Sequence, residues 1–196
     1  MQLEFLRSCF LNINNNNNIK ILIKLTEFGK INGFIQIYKL NKEKIKEIKN
    51  NNVKDVTSFL DTYYNMNTSY LILCNRKEII NVYNYNKNKW TIFRTKNENT
   101  EESINQFIII NNNNSLKMIG SSFTGIYLWN FQTGNLLCTI KGGSGRNPFF
   151  ELWLWNNDRF FIGQDEILNF VKIRNDKLNV VKRFSEHKEN IPCIKR

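Results

Sequence analysis

Apolar and polar residues alternate in four stretches of this chain, and the four stretches fall into one register. In each, a turn leads into a run with apolar residues two positions apart, and the run ends in a large apolar residue followed by a polar one. Alternation with this period predicts half-buried β-strands. The terminal apolar positions recur at intervals of roughly 40–46 residues, which indicates a structural repeat. These positions are Tyr38, Tyr83, Trp129 and Val171.

Each repeat contains four short apolar segments separated by turns rich in Asn and Gly, and this pattern predicts four β-strands per repeat. The first repeat is expected to form strands at Phe5–Ile13, Ile19–Thr26, Phe34–Leu40 and Ile45–Ile48. The second is expected to form them at Val56–Tyr64, Tyr70–Cys74, Ile79–Tyr85 and Trp90–Arg94. The third follows with Ile104–Ile110, Leu116–Ser121, Gly125–Phe131 and Leu136–Ile140. The fourth follows with Phe149–Trp155, Arg159–Gly163, Ile167–Ile173 and Leu178–Phe184.

The turn after each third strand supports the same register. These turns contain Asn, Asp or Gly, which tolerate the left-handed backbone conformations that tight hairpins require. The four turns are Asn41–Lys44, Asn86–Lys89, Gln132–Asn135 and Arg174–Lys177. Runs of Asn at 14–18, 50–52 and 111–114 also fall between the predicted strands, and we interpret them as surface loops.

At this level of detail the chain resembles the WD40-repeat family, most clearly in its third and fourth repeats. The third repeat contains Ile119–Ser122, Gly125–Asn130 and Thr133–Leu137, which look like the family's glycine–serine strand end, its tryptophan–aspartate strand end and its threonine–glycine turn. The fourth contains Phe161–Asp165, similar to the family's second strand with the aspartate of the tight turn. Glu186-His187 looks like a degenerate glycine–histidine pair that precedes a new repeat.

The resemblance implies an all-β fold, a β-propeller-like array of about four four-stranded antiparallel blades. The expected blades cover residues 1–50, 51–98, 99–143 and 144–186, and residues 187–196 begin a further blade. Because WD40 propellers usually have seven blades, we expect an incomplete propeller, either a fragment or part of a larger one.

The chain departs from the family in the histidine, serine or threonine, aspartate and tryptophan that often form one hydrogen-bonded set. The third repeat has Trp129 at the tryptophan position but Phe123 at the aspartate position. The fourth repeat has Asp165 at the aspartate position but Val171 at the tryptophan position. His187 is the single histidine of the chain. No repeat has the complete set, so we expect apolar packing between sheets to stabilise the blades.

The chain is basic, with 28 Lys and Arg against 17 Asp and Glu and a net charge of +11. Its cations are mostly Lys and are scattered, whereas a phosphate-binding surface would more often use Arg. We therefore interpret the charge as coding bias and solubility rather than as a nucleic-acid surface. No signal peptide or membrane-spanning apolar run is evident, and the four cysteines are far apart, so we expect an intracellular, cytoplasmic protein.

The sequence offers little support for a catalytic site or a metal-binding site. A site built on His187 would use the only histidine, and the cysteines have no metal-ligand spacing. The Gly-rich segment 141–146 leads into an apolar strand rather than a helix, which disfavours a phosphate loop. We expect no enzyme activity, no cofactor and no metal.

The four tryptophans, Trp90, Trp129, Trp153 and Trp155, alternate on strands. We expect most of them to lie in the core between blades. The alternative, a stacking platform for single-stranded nucleic acid, would require them to be exposed beside basic residues.

The leading functional hypothesis is a non-enzymatic protein–protein interaction scaffold, because propeller rims present loops on a rigid body. In WD40 relatives the residue before the tight-turn aspartate often contributes to one binding face. The corresponding residues here are Ile31, Arg76, Ser122 and Gln164, of which Arg76 and Gln164 are the preferred candidates. Two alternatives remain: a basic module that binds RNA or an anionic surface, and a regulatory propeller portion of a larger multidomain protein.

Overall fold

The fold is all-β in a computed structural model of the chain. The structure describes residues 10–11, 21–25, 34–38, 44–49, 57–65, 68–75, 79–94, 104–112, 115–141, 151–164 and 167–185. These ranges contain sixteen strands and no helix. The predicted all-β class is therefore confirmed, and no described helix is long and apolar enough to cross a bilayer.

The strands form four sheets of four, and each sheet follows the order of its strands along the chain. The first sheet contains β1 (Phe10–Leu11), β2 (Ile21–Leu25), β3 (Phe34–Tyr38) and β4 (Lys44–Lys49). The second contains β5 (Thr57–Asn65), β6 (Thr68–Asn75), β7 (Ile79–Asn84) and β8 (Lys89–Arg94). The third contains β9 (Gln106–Asn112), β10 (Ser115–Ser121), β11 (Gly125–Asn130) and β12 (Leu136–Lys141). The fourth contains β13 (Glu151–Asn156), β14 (Arg159–Gln164), β15 (Ile167–Arg174) and β16 (Lys177–Phe184).

Every predicted strand overlaps one observed strand, and the differences lie at the ends. The strand β9 extends to Asn112, so the interpretation of the whole 111–114 Asn run as a loop was wrong. Asn111 pairs with Leu116 in the ladder between β9 and β10, and this pairing keeps the strand extended through the Asn residues. At the other extreme, β1 covers only Phe10–Leu11 of the predicted Phe5–Ile13, and the rest of that range lies outside the described residues.

The repeat positions occupy corresponding places in the four sheets. Each lies on the third strand of its sheet and pairs with a residue of the second strand. Tyr38, Trp129 and Val171 also share a local irregularity, because the register with the fourth strand shifts immediately before each of them. A bulge adds a residue to one strand and increases the local twist. Its recurrence at the same position indicates that these three sheets have the same local geometry.

In the three predicted turns that the structure describes in full, Asn, Asp or Gly occupies the left-handed positions as the sequence predicts, whereas residues 41–43 of the first predicted turn lie outside the described residues. Asn88, Asn175 and Asp176 have φ values of 57°, 50° and 58°, and Gly134 has a φ of 77°. Since Arg174 pairs with Lys177, the turn between β15 and β16 has two central residues that both lie in the left-handed region. This is the hairpin geometry that matches the right-handed twist of the strands, and Asn and Asp adopt it with little strain.

The chain divides into two compact units, residues 1–76 with 80–92 and residues 77–79 with 93–196. In the first unit the strands β6 and β7 carry a continuous buried series that includes Leu71, Leu73 and Val82. The ring of Tyr83 lies 4.9 Å from that of Trp90. The ammonium of Lys46 lies 4.8 Å from the centre of the Tyr85 ring, a cation–π contact from the strand β4.

In the second unit, the third and fourth sheets share one apolar core. Ile110, Ile119, Ile126 and Leu128 of the third sheet belong to the same buried cluster as five residues of the fourth. Those five are Leu152, Phe160, Ile162, Val171 and Ile173. The expected apolar packing between sheets is therefore present here, and it follows from the alternation along each strand.

The opposite face of the third sheet is also buried. Trp129 is 0% exposed, and its ring meets Phe93 edge-on at 6.2 Å between centroids. Its Nε1–H donates a hydrogen bond to the Arg94 carbonyl oxygen at 3.0 Å. A Cβ on Gly120 would lie 2.8 Å from Cζ3 of Trp129, so the absence of a side chain there leaves the space that the indole occupies. Because both faces are covered, the residues of β10 and β11 are buried almost without interruption.

A side-chain amide also connects the edge strands β9 and β13. Nε2 of Gln106 donates to the Leu152 carbonyl oxygen at 2.9 Å, and the Leu152 N–H donates to Oε1 of Gln106 at 2.8 Å. The side-chain amide of Gln106 thus makes two hydrogen bonds with the main chain of Leu152, as a residue of a neighbouring strand would. It thereby satisfies part of an otherwise unpaired sheet edge.

Of the four tryptophans, most of which were expected in the core, only Trp129 is fully buried, and Trp155 is 55% exposed. Trp155 lies where the register between β13 and β14 shifts, and it contacts Phe161 and Phe170 rather than the shared core. Trp90 and Trp153 are half-buried, and Trp129 is the one tryptophan whose ring is fully enclosed.

Replacing Trp129 with Phe should lower the free energy of unfolding by about 1–3 kcal/mol, because the change removes the bond to Arg94 and leaves a void. Trp155→Phe is the matched control and should change it by no more than about 0.5 kcal/mol, since the site is exposed. Urea unfolding followed by circular dichroism measures both. Equal effects of the two substitutions would contradict the burial described here.

Candidate functional site

A polar cleft forms at one end of the fourth sheet, and the turn between β13 and β14 builds its first wall. The Asn156 side-chain oxygen accepts a hydrogen bond from the Asp158 N–H at 3.1 Å, which tightens the turn. The Ile173 N–H donates to the Asp158 carbonyl oxygen at 2.8 Å, so the turn is held against β15. These bonds place the Asp158 carboxylate 3.3 Å from Nζ of Lys172 and 3.5 Å from Nε of Arg159.

The turn between β15 and β16 forms the second wall and reaches the third sheet. Asp176 accepts a hydrogen bond from Nζ of Lys117 on β10, and the two also form an ion pair. The Lys117 side chain is only 7% exposed, whereas that of Asp176 is 57% exposed. A buried ammonium is costly without a partner, so this bond explains how a lysine occupies the middle of β10.

Between these walls the cleft has a volume of about 460 Å³. Its lining residues share polar or charged side chains with one exception, and they are Asn111, Asn157, Asp158, Lys172, Ile173, Arg174 and Asn175. Oδ1 of Asn111 is buried and makes no hydrogen bond with the described part of the chain. An unpaired buried acceptor costs about 1–3 kcal/mol.

The charges of the cleft favour a ligand with carbonyl or carboxylate oxygens. Lys172 and Arg174 supply two cations, and Asp158 is the one carboxylate among the lining residues. Asp158 is already engaged by Lys172 and Arg159, whereas the exposed Arg174 has no ion pair with any described residue. A guanidinium in this position can hold a carboxylate with two parallel hydrogen bonds.

The residues that the sequence proposes for binding do not lie in this cleft. Gln164 is at the far end of β14, and five steps of about 3.3 Å separate it from Arg159, a distance of about 17 Å. Ser122 is fully buried in a tight turn, where its N–H donates to the Gly125 carbonyl oxygen at 2.9 Å. The other proposed positions, Ile31 and Arg76, lie outside the described residues, as do the repeat positions Asp165 and His187.

Sequence analysis did not identify the cleft, in part because three of its residues lie in turns, where their types indicate only that a turn forms. Asn157, Asp158 and Asn175 carry the signal of hairpin ends, and nothing local distinguishes a turn that lines a cavity from one that does not. Asn111 was assigned to a loop, although it lies within β9 and lines the cleft.

Burial also shifts the pKa of titratable groups that do not line the cleft. Burial raises the pKa of Glu151 on β13. In the first unit, burial and then the neighbouring Tyr70 raise the pKa of Tyr63. Among the described residues there is no group of three or more His, Cys, Asp or Glu side chains that could hold a metal ion.

No protein-family model matches the chain, and no curated protein sequence is significantly similar to it.

Replacing Asp176 with Asn should lower the free energy of unfolding by about 1–3 kcal/mol, because Lys117 loses its charged partner while Asn keeps the left-handed turn. The same substitution in a Lys117→Met background should have almost no effect, since the buried cation is gone. Thermal and urea unfolding of the four proteins checks this. An identical loss in both backgrounds would show that Asp176 acts through the turn alone.

Proposed function

We propose that this chain is a non-enzymatic protein–protein interaction scaffold of the WD40-repeat type, and that its four sheets are blades of an incomplete β-propeller. The observation that carries the proposal is the third sheet, whose two faces are both buried against apolar neighbours. A repeat that cannot cover its own faces and is stabilised by its neighbours is typical of stacked repeat proteins. The irregularity shared by Tyr38, Trp129 and Val171 supports equivalent blades.

In this proposal the polar cleft is the docking place for a partner. Its walls are short hairpin turns held by main-chain hydrogen bonds and by the pair between Lys117 and Asp176. A site built this way is already ordered before binding, so little entropy is lost when a partner docks. The open Arg174 guanidinium suits an extended peptide segment that offers an acidic side chain.

The chemistry of the cleft supports binding over turnover. Its lining residues are amides, one paired carboxylate, two cations and one isoleucine. These groups hydrogen-bond and attract charge, which suits the binding of a polar peptide.

The test is affinity capture with the whole chain as bait, compared with Arg174→Glu, which reverses the open charge of the cleft. Lys141→Glu is the matched control, because Lys141 is also exposed but lies at the end of β12 outside the cleft. A scaffold should retain a defined set of proteins with the wild type and with Lys141→Glu and lose at least one of them about tenfold with Arg174→Glu.

Capture that nuclease treatment abolishes, or that both substitutions reduce equally, would contradict the proposal. The first result would mean that nucleic acid mediates the association. The second would mean that the net charge, rather than the cleft, attracts the captured proteins.

A further inference from the structure

The face of the fourth sheet that points away from the shared core is aromatic. Phe161 on β14 pairs with Trp153 on β13 and with Phe170 on β15, so a row of aromatic side chains crosses three strands. The rings of Phe161 and Phe170 lie 4.7 Å apart. Trp155 stands nearly perpendicular to both, at 5.8 Å from Phe161 and 6.5 Å from Phe170. We name Trp153, Trp155, Phe161, Phe170 and Phe184 the aromatic face.

Three cationic side chains lie next to this aromatic face on the same strands. Lys182 on β16 pairs with Phe170 in the ladder, and its ammonium lies 4.8 Å from the centre of the Phe184 ring. No described carboxylate forms an ion pair with Lys182. Arg159 on β14 and Lys172 on β15 pair with each other in the ladder, each two residues along its strand from the pair of Phe161 and Phe170. The Asp158 carboxylate forms an ion pair with both cations. Among the described residues, Glu151 is the only carboxylate that the strand register places on this face.

The chemistry of the aromatic face differs from that of the faces that pack together. The cluster shared by the third and fourth sheets contains eight aliphatic residues, one phenylalanine and no charged side chain. The aromatic face combines ring surfaces with three cations and keeps Trp155 more than half exposed. Charged groups beside rings are unfavourable in a dry sheet-to-sheet contact but fit a ligand that carries both flat rings and negative charge.

We propose that the aromatic face binds single-stranded nucleic acid. Bases stack on the exposed ring of Trp155 and on Phe161 and Phe170, while phosphates approach Lys182 and the pair of Arg159 and Lys172. Four-stranded sheets that stack two or three bases on aromatic side chains of adjacent strands are a known solution to this task. The net charge of +11 adds long-range attraction to the same ligand. This inference does not rest on the proposed scaffold, and its surface shares only Lys172 with the lining of the cleft.

The test is fluorescence anisotropy with a labelled 15-nucleotide uridine strand, a thymidine strand of equal length and a double-stranded RNA. Trp155→Ala and Phe170→Ala should each weaken binding of the uridine strand about fivefold or more, because each removes a stacking surface. Leu154→Ala is the matched control: the residue is an exposed apolar neighbour on the same strand, outside the aromatic face, and its loss should leave affinity unchanged.

Charge variants give a second readout that does not depend on removing a ring. Lys182→Glu should weaken binding about tenfold and reduce its salt dependence. Lys141→Glu, at the exposed end of β12 on the third sheet, is the matched control and should have less than half that effect on the logarithm of the affinity. Glu151→Gln should strengthen binding about twofold, because it removes the one described carboxylate that the register places on this face. Circular dichroism establishes that each variant is folded before its affinity is compared.

Single-strand affinities of Trp155→Ala, Phe170→Ala and Lys182→Glu equal to the wild type would overturn the proposal. Equal affinity for the double-stranded RNA would also overturn it, since duplex bases cannot stack on the rings. A wild type that binds no strand but dimerises with increasing concentration would show that a second copy of the chain covers this face instead.

Discussion

The burial of apolar residues on both sides of a thin sheet is the constraint on which the second unit depends. The strands β10 and β11 are buried at nearly every position, so the third sheet exposes almost no apolar surface of its central strands. A four-stranded sheet cannot achieve this by itself, because each of its faces needs a partner surface. The apolar cluster shared with the fourth sheet covers one face, and the contacts of Trp129 with Phe93 and Arg94 cover the other.

The strands could be predicted from the sequence because their signals are local. Alternation over five to eight residues and Asn or Gly in the turns determine where an extended segment begins and ends. The left-handed turn at Asn175 and Asp176 is a direct case, because these residue types tolerate the φ values that the hairpin requires. The two-residue error in β9 arose because Asn disfavours strands in general, whereas here the pairing of Asn111 with Leu116 overrides that preference.

The candidate sites could not be predicted in the same way, because they depend on which surfaces meet. Trp129 and Trp155 both lie on strands with similar patterns, yet one is enclosed and the other is exposed. The difference is whether a neighbouring surface covers that face, and the sequence of one strand does not contain this information. The cleft presents the same difficulty, since it joins Asn111 of one sheet to turns of another that are distant in the chain. The preferred candidate Gln164 lies at the opposite end of β14, and Arg76 is outside the described residues.

Lys172 connects the two proposed surfaces, because it lines the cleft and also belongs to the cationic edge of the aromatic face. The scaffold proposal requires the third and fourth sheets to be held together as one body, because both line the cleft. The most direct test is native-state hydrogen exchange on wild type and Phe160→Ala, a substitution in the shared core of the fourth sheet. If the sheets are stabilised by packing on each other, the amides of β10 and β11 should lose protection by the same free energy as those of β14 and β15. Loss of protection confined to the fourth sheet would contradict the account.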